Sequence, residues 1–350
     1  MKIAVIGCGS IANAQHIPAY MKNPKAEILY FCDILPERAK AAVEKYGVGK
    51  AVTDYRVVLS DPAVDAVSVC TPNKMHSEIS IAALKVGKNV LCEKPAARCL
   101  DEALLMQKAQ HEYGKVLNIG VVNRFNVGVN KVKQLIDEGV LGEVYNVYVS
   151  FRAHRSIPGL GGAFTTKEIA GGGVLIDWGV HYLDIVMYCC GDPKIKTVSA
   201  ETFCRLGNPI RDYVCTYMWA GPADPNGICD VEEGITGLVR SEGPTISLNG
   251  AWAQNIGINE TYIDFMGDKA GIRYVYDTGD FTLFGTQNGS LTKTEFSYEK
   301  PSMFENEIGA FLDCIESGEK LPSHIDTNMM TVRLMDALYR SAERHEEVVL

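Results

Sequence analysis

The chain has 350 residues, 47% hydrophobic and 22% charged, with 34 basic against 43 acidic side chains and a net charge of -9. That length exceeds what one hydrophobic core usually organises and predicts two folded domains, while the acidic balance, with no lysine or arginine run, excludes a nucleic-acid partner. No run of about eighteen apolar residues occurs and the apolar stretch at the N-terminus is too short for a signal peptide, so a soluble, cytoplasmic protein with no membrane partner is expected.

The chain opens with a β-rich run, Lys2 to Ile6, followed by Gly7-Cys8-Gly9-Ser10-Ile11-Ala12 and a segment that can start a helix. Small residues are needed where a backbone turns tightly against a pyrophosphate, and Ala12 takes the third small position, where helix packs on strand. A second strand, Glu27 to Cys32, ends in Asp33, an acid placed to accept hydrogen bonds from an adenosine ribose. The same carboxylate repels a 2′-phosphate and Ile34 beside it offers no cation, so NAD is favoured over NADP, with Arg38 a turn further on tempering the preference.

The alternation continues through helix Pro36 to Tyr46, a strand around Ala51, helix Tyr55 to Leu59, strand Ala66 to Cys70, helix Ser77 to Val86 and strand Asn89 to Cys92. Apolar runs such as Ala66-Val67-Ser68-Val69-Cys70 suit strands covered on both faces, hence an α/β doubly wound parallel sheet of the Rossmann type. Ligands of such sheets lie beyond the carboxyl ends of the strands, so the loops starting at Gly7, Thr71 and Glu93 should share one crevice. Eleven cysteines, Cys70, Cys92 and Cys189 among them, lie scattered in apolar segments without zinc spacing. They read as buried hydrophobes in a reducing compartment, and no metal is expected.

After Arg124 the pattern changes. A helix, Asn130 to Glu138, leads to the alternating run Val144 to Phe151, and β-like stretches follow at Thr197 to Cys204, Tyr213 to Trp219, Val231 to Arg240, Thr245 to Ala253, Tyr262 to Met266 and Phe281 to Phe284. They predict a C-terminal α+β domain with an open, largely antiparallel sheet. Ser156 to Ile169 is glycine-containing and irregular, a lid or a long loop. From Val174 a helix is expected, placing Asp177 and His181 at i and i+4 on one face, with Asp184 beyond them. That spacing suits a base and its orienting carboxylate: neutral imidazole takes an alcohol proton, and the acid fixes its tautomer. Two helical patterns, Phe304 to Ser317 and Asp326 to Arg344, close the chain, and the apolar stripe Phe304, Ile308, Phe311, Leu312 and Ile315 reads as core.

The glycine turn, Thr71-Pro72-Asn73 with His76, Glu93-Lys94-Pro95, Gly171-Gly172-Gly173, and Asp177-Trp178-Gly179-Val180-His181, in this order and spacing, resemble the Gfo/Idh/MocA family of NAD(P)-dependent oxidoreductases across nearly the whole chain. The resemblance implies a Rossmann domain over residues 1–122 and a substrate-binding and oligomerisation domain over 123–350, with the last helix returning to the Rossmann domain. It implies that Thr71, Pro72, Asn73, His76, Glu93 and Pro95 join Gly7 to Ala12, Asp33, Ile34 and Arg38 around the cofactor. Lys94 is expected to touch both cofactor ribose and substrate hydroxyl, where an ammonium stabilises the alkoxide-like charge left as hydride departs. His181 is the expected base and Asp177 its orienter.

Arg124, Arg152 and His154, with Arg155 nearby, are the further substrate-binding candidates; Arg124 lies in Val122-Asn123-Arg124-Phe125, which is similar to a family segment at the domain junction. The expected reaction is NAD-dependent oxidation of a secondary hydroxyl on a small polyhydroxylated substrate: a sugar, glycoside or cyclitol. Redox-neutral lyase, glycosidase or sugar–sugar oxidoreductase chemistry with a retained cofactor, and a non-catalytic NAD-dependent sensor, are the alternatives. The free sheet face that relatives use for assembly implies a homodimer or homotetramer.

Overall fold

Near-continuous apolar runs build the first sheet from β1 (Lys2–Ile6), β2 (Glu27–Cys32), β3 (Lys50–Val52), β4 (Ala66–Val69), β5 (Asn89–Glu93) and β6 (Leu117–Gly120). All pairings are parallel, in the order β3-β2-β1-β4-β5-β6. This is the doubly wound order whose reversal beside β1 opens a crevice at the strands' carboxyl ends. Helix boundaries follow local chemistry: Pro36–Tyr46 begins with proline in its first turn and stops at Gly47, whose φ of 70° suits a glycine cap. The alternation runs further than expected, through the helix Leu100–Tyr113 into β6.

The computed structural model describes residues 1–350 and divides into two units, Met1–Phe125 with Pro301–Met329 and Asn126–Lys300 with Met330–Leu350. The segment that rejoins the first unit therefore carries the helix Met303–Ser317, whereas Met330–Leu350, with most of the last helix, stays with the second. Ile308, Phe311 and Leu312 of Met303–Ser317 complete the first unit's core with Ile3, Val5, Ile17 and Phe31. No helix is long and apolar enough to cross a membrane.

The second sheet comprises β7 (Val144–Arg152), β8 (Ile195–Phe203), β9 (Gly234–Ser241), β10 (Thr245–Ala251), β11 (Glu260–Gly267), β12 (Gly271–Val275), β13 (Asp280–Gln287), β14 (Ser290–Glu295) and β15 (Val348–Val349). It is antiparallel except where β10 runs parallel to β7, in the order β14-β13-β12-β11-β7-β10-β9-β8-β15. Inward residues such as Val147, Val149, Phe151, Val239 and Phe265 pack with Leu183, Val186, Leu334 and Leu338 from the helices Val180–Cys189 and Ile325–Arg344. The helix expected from Asn130 starts at Val127, because the Asn126 side chain accepts from the Gly128 and Val129 N–H groups.

Two strand expectations are corrected. Tyr213 to Trp219 is not a strand: the Tyr213 hydroxyl accepts from the Ile157 N–H at 3.2 Å, and Trp219 donates from its indole to the Ser156 carbonyl at 3.1 Å. Those two aromatic side chains anchor the irregular stretch after β7 instead of alternating across a sheet. Val231 to Arg240 narrows to β9, because Glu232 and Glu233 turn their carboxylates to backbone N–H groups elsewhere in the second unit.

Candidate functional site

In the first unit the glycine turn follows β1 directly. Gly7 has φ 93°, and a Cβ there would lie 2.4 Å from the Cys70 carbonyl oxygen, so only glycine lets the turn pass the end of β4. A Cβ on Gly9 would meet nothing within 4 Å, leaving open space over the turn. The Asn13 side chain donates to the Cys8 carbonyl at 2.8 Å and the Gly9 carbonyl at 3.1 Å, fixing the turn's carbonyls from inside. Asp33 is 7% exposed and accepts from the Cys8 N–H at 2.9 Å and the Leu35 N–H at 2.9 Å, while Ile34 is 86% exposed and Arg38 is exposed. Ala12 is buried in the core as expected, and burial followed by the charge of Asp33 pushes the Cys8 thiol up to about 12, so it stays protonated.

Glu93-Lys94-Pro95 ends β5, with a cis Lys94–Pro95 peptide and Lys94 half-buried. Glu93, expected at the cofactor, turns inward. One oxygen lies 2.7 Å from His16 Nε2 and the other accepts the Lys94 backbone N–H at 3.1 Å. His16 is fully buried, its Nδ1 is 2.9 Å from Ser68 Oγ, and Tyr20 donates to that hydroxyl at 3.3 Å. Burial alone opposes charge on this pair. The neighbours Cys70 and Glu93 outweigh it for His16 and hold the imidazole well above its usual range, while His16, Lys94 and His76 outweigh it for Glu93 and hold the carboxyl low.

His76, also expected at the cofactor, is buried with Nδ1 2.7 Å from the Pro95 carbonyl and Nε2 2.8 Å from the Thr71 carbonyl. It ties the loop after β4 to the loop after β5, leaving Thr71 and Asn73 half-buried and Pro72 exposed along that edge. Arg124, expected at the substrate, is only 2% exposed and donates to the Pro322 carbonyl at 2.6 Å and the Thr327 carbonyl at 3.4 Å. A buried guanidinium needs acceptors, and it finds them in the returning segment.

In the second unit, helix runs unbroken from Val174 to Cys189, but its first turn, Leu175–Gly179, is a π-helix. Such insertions are frequent at functional sites. Asp177 sits buried in the π turn and His181 half-buried in the α-helix that follows, its ring 6.1 Å from that of Tyr276. Asp184 is buried and accepts from the Thr331 hydroxyl at 3.1 Å, a core bond. Arg152 ion-pairs with Glu260 on the neighbouring β11, and exposed His154 sets Nδ1 3.0 Å from the Gln254 carbonyl and 3.1 Å from that of Ile256.

A family model described as "Oxidoreductase family, NAD-binding Rossmann fold" matches residues 1–121, and a second, the GFO/IDH/MocA C-terminal domain, matches residues 129–273. The chain belongs to the GFO/IDH/MocA oxidoreductase family. Among its relatives, D-glucoside 3-dehydrogenase of Escherichia coli (strain K12) is 31% identical over 353 residues, 100% of this chain and 97% of that protein. Myo-inositol 2-dehydrogenase of Thermotoga maritima is 31% identical over 202 residues, 57% of this chain and 58% of its own. The solved structure of levoglucosan dehydrogenase in complex with NADH shares the fold at a TM-score of 0.85 and 22% identity, covering 100% of this chain and 98% of that one.

The dinucleotide of a GFO/IDH/MocA oxidoreductase fits the residues present. Open space above Gly9 and N–H groups at the start of the helical run Ser10–Lys22 would hold its phosphates, and Asp33, just past β2, would meet its ribose. The sequence motifs do not include Asn13, His16 or Glu232. His16 had a signal, standing midway between Ala12 and Tyr20 on an apolar i, i+4 stripe, where a polar residue demands a buried partner. Glu232 had none nearby.

Proposed function

We propose that this chain oxidises a secondary hydroxyl of a sugar, glycoside or cyclitol with NAD as the acceptor. The observation that carries this reading is 31% identity across 100% of the chain to a relative named D-glucoside 3-dehydrogenase. Bound NAD supplies the acceptor for the hydride that leaves the carbinol carbon. His181, as neutral imidazole, takes the hydroxyl proton, and Asp177, four residues earlier on the same helix, orients that ring and favours its cation. Lys94 supplies the ammonium that stabilises charge on the oxygen as the C–H bond breaks. The C–O single bond becomes a carbonyl, and the products are a ketone, NADH and one proton.

Thr71, Pro72, Asn73 and Pro95 are proposed to line the nicotinamide end of the cofactor, and Arg152 and His154 to meet the substrate. NAD is proposed over NADP because the Asp33 carboxylate, held by two N–H groups, repels a 2′-phosphate. Free thiols at all 11 cysteines suit a cytoplasmic setting, and exposed Tyr145, Phe284 and Leu291 on the second sheet suit a homodimer or homotetramer, which light scattering tests.

The deciding experiment identifies any nucleotide that purifies with the protein, then follows NADH absorbance with methyl β-D-glucopyranoside and myo-inositol under NAD or NADP. Net NADH, faster with NAD, is expected from one of these probes. Bound NAD reduced once per protein, without net turnover, would transfer the assignment to redox-neutral chemistry, and no nucleotide accepted at all would overturn it.

A further inference from the structure

The helix that carries Asp177 and His181 begins inside the second unit, where its first N–H groups have no partner within the helix and cannot reach water. One residue takes three of them in succession. Glu232, buried just before β9, accepts from the Gly173 N–H at 2.9 Å and the Leu175 N–H at 3.1 Å through its two carboxyl oxygens. Its main-chain carbonyl accepts from the intervening Val174 N–H at 3.0 Å. The Tyr339 hydroxyl, from the last helix, donates to the same carboxyl group at 2.8 Å.

The glycines before this helix have their reason here. A Cβ on Gly173 would lie 1.9 Å from the Glu232 carbonyl oxygen, and one on Gly172 would lie 2.1 Å from the Tyr339 hydroxyl. The close approach is therefore built from both sides: two residues without side chains leading into the helix, and an acid steadied by a phenol opposite. A carboxyl group at a helix N-terminus also complements the partial positive charge that collects there.

We propose that Glu232 is a positioning residue for the reaction: by holding the N–H groups of Gly173, Val174 and Leu175, with Tyr339 holding its carboxyl group, it fixes the helix that presents Asp177 and His181. This rests on the assignment of His181 as the base. Burial raises the Glu232 carboxyl above its usual range, against the Tyr339 hydroxyl and the backbone N–H groups that oppose the shift. Glutamine in its place keeps the shape and one accepting oxygen but turns its amide donor toward one of the two backbone donors, which loosens the start of the helix without removing volume.

The test compares the full-length parent with E232Q, Y339F and H181N. Substrate-independent evidence comes from the histidine side-chain NMR spectrum, in which H181N identifies the His181 signal. E232Q is expected to move that signal and its titration midpoint, leave those of His16 and His76 in place, and keep NAD binding within ~2-fold by equilibrium dialysis. With the probe that turns over in the assay above, kcat falls ~10-fold to ~100-fold while KM changes by less than ~3-fold, the size expected when a reacting group is misplaced by about an ångström.

An unmoved His181 signal, or kcat within ~2-fold of the parent, overturns the proposal. Should E232Q lack a cooperative melt, Y339F, which keeps the ring and deletes one bond to Glu232, is expected to move the His181 signal in the same direction, and no movement there overturns it equally. An H181N protein with full turnover would instead defeat the assignment of the base; an inactive H181N beside a fully active E232Q defeats the positioning role alone.

Discussion

Glu307, from the returning helix Met303–Ser317, is 1% exposed, and neither of its carboxyl oxygens has a hydrogen-bond partner. Burial, reinforced by the charge of Glu93, pushes its carboxyl well above the ordinary 4.5, so the folded chain carries it as a neutral acid. Above pH 4.5 the unfolded chain releases this proton and the folded chain keeps it, so stability falls with rising pH by up to about 1.4 kcal/mol per pH unit until the folded pKa is reached. E307Q removes that slope. The expected result is equal stability near pH 4.5 and a growing advantage for E307Q toward neutral pH, read from urea midpoints; a constant difference would refute it.

The His16–Glu93 pair is present in both proteins and brackets the same range. Its Glu93 contribution is lost as pH falls below 4.5 through a depressed pKa, and its His16 contribution is lost as pH rises above 6.5 through a raised one. Neither Glu93 nor Glu307 carries a sequence motif that announces such a cluster, and His16 offers only its place on the apolar stripe. Glu93 stands in a recognisable tripeptide and is expected to face the cofactor, yet it meets His16 of the first helix and Glu307 of the returning one.

At the scale of elements, the glycine turn separates two demands that one motif hides. Gly7 is required by its own backbone: alanine there pays ~1–2 kcal/mol for the positive φ, and its methyl group meets the Cys70 carbonyl besides. Gly9 is open, so alanine there leaves the fold intact and projects into the space a pyrophosphate would take. G9A is therefore expected to melt as the parent does while NAD affinity drops at least ~10-fold, about 1.4 kcal/mol, and G7A to lose both. Equal thermal stability of the two variants in calorimetry would contradict this division.

The strands the periodicity overlooked are short or polar. β6 alternates as Leu-Asn-Ile-Gly, and β14 is a mostly exposed, charged edge strand that no apolar pattern could reveal. The stretch Tyr213 to Trp219 errs the other way, since its aromatic content mimics a strand while Tyr213 and Trp219 serve as anchors.

The whole molecule is assembled from a chain that leaves its first unit and comes back. Residues 1–125 alone lack Ile308, Phe311 and Leu312, all fully buried. At roughly 1.5–3 kcal/mol for each buried side chain, their loss rivals the ~5–15 kcal/mol net stability of a whole domain. The fragment 1–125 is expected to show no cooperative melt, whereas 1–125 joined through a flexible linker to 301–329 melts cooperatively and binds NAD. A cooperative transition in the shorter fragment would show that the returning segment is dispensable.

Short-range pattern was sufficient for most helices and strands, the parallel and antiparallel character of the two sheets, the glycine turn after β1, and the helix bearing Asp177 and His181, because repeat periods and turn glycines are properties of neighbouring residues. The work of Glu93, His76, Arg124, His16 and Glu232 was settled only by folding. A buried polar group is tolerated where it finds a partner, and those partners stand 77 residues apart for His16 and Glu93 and 59 apart for Gly173 and Glu232, distances over which no local pattern speaks.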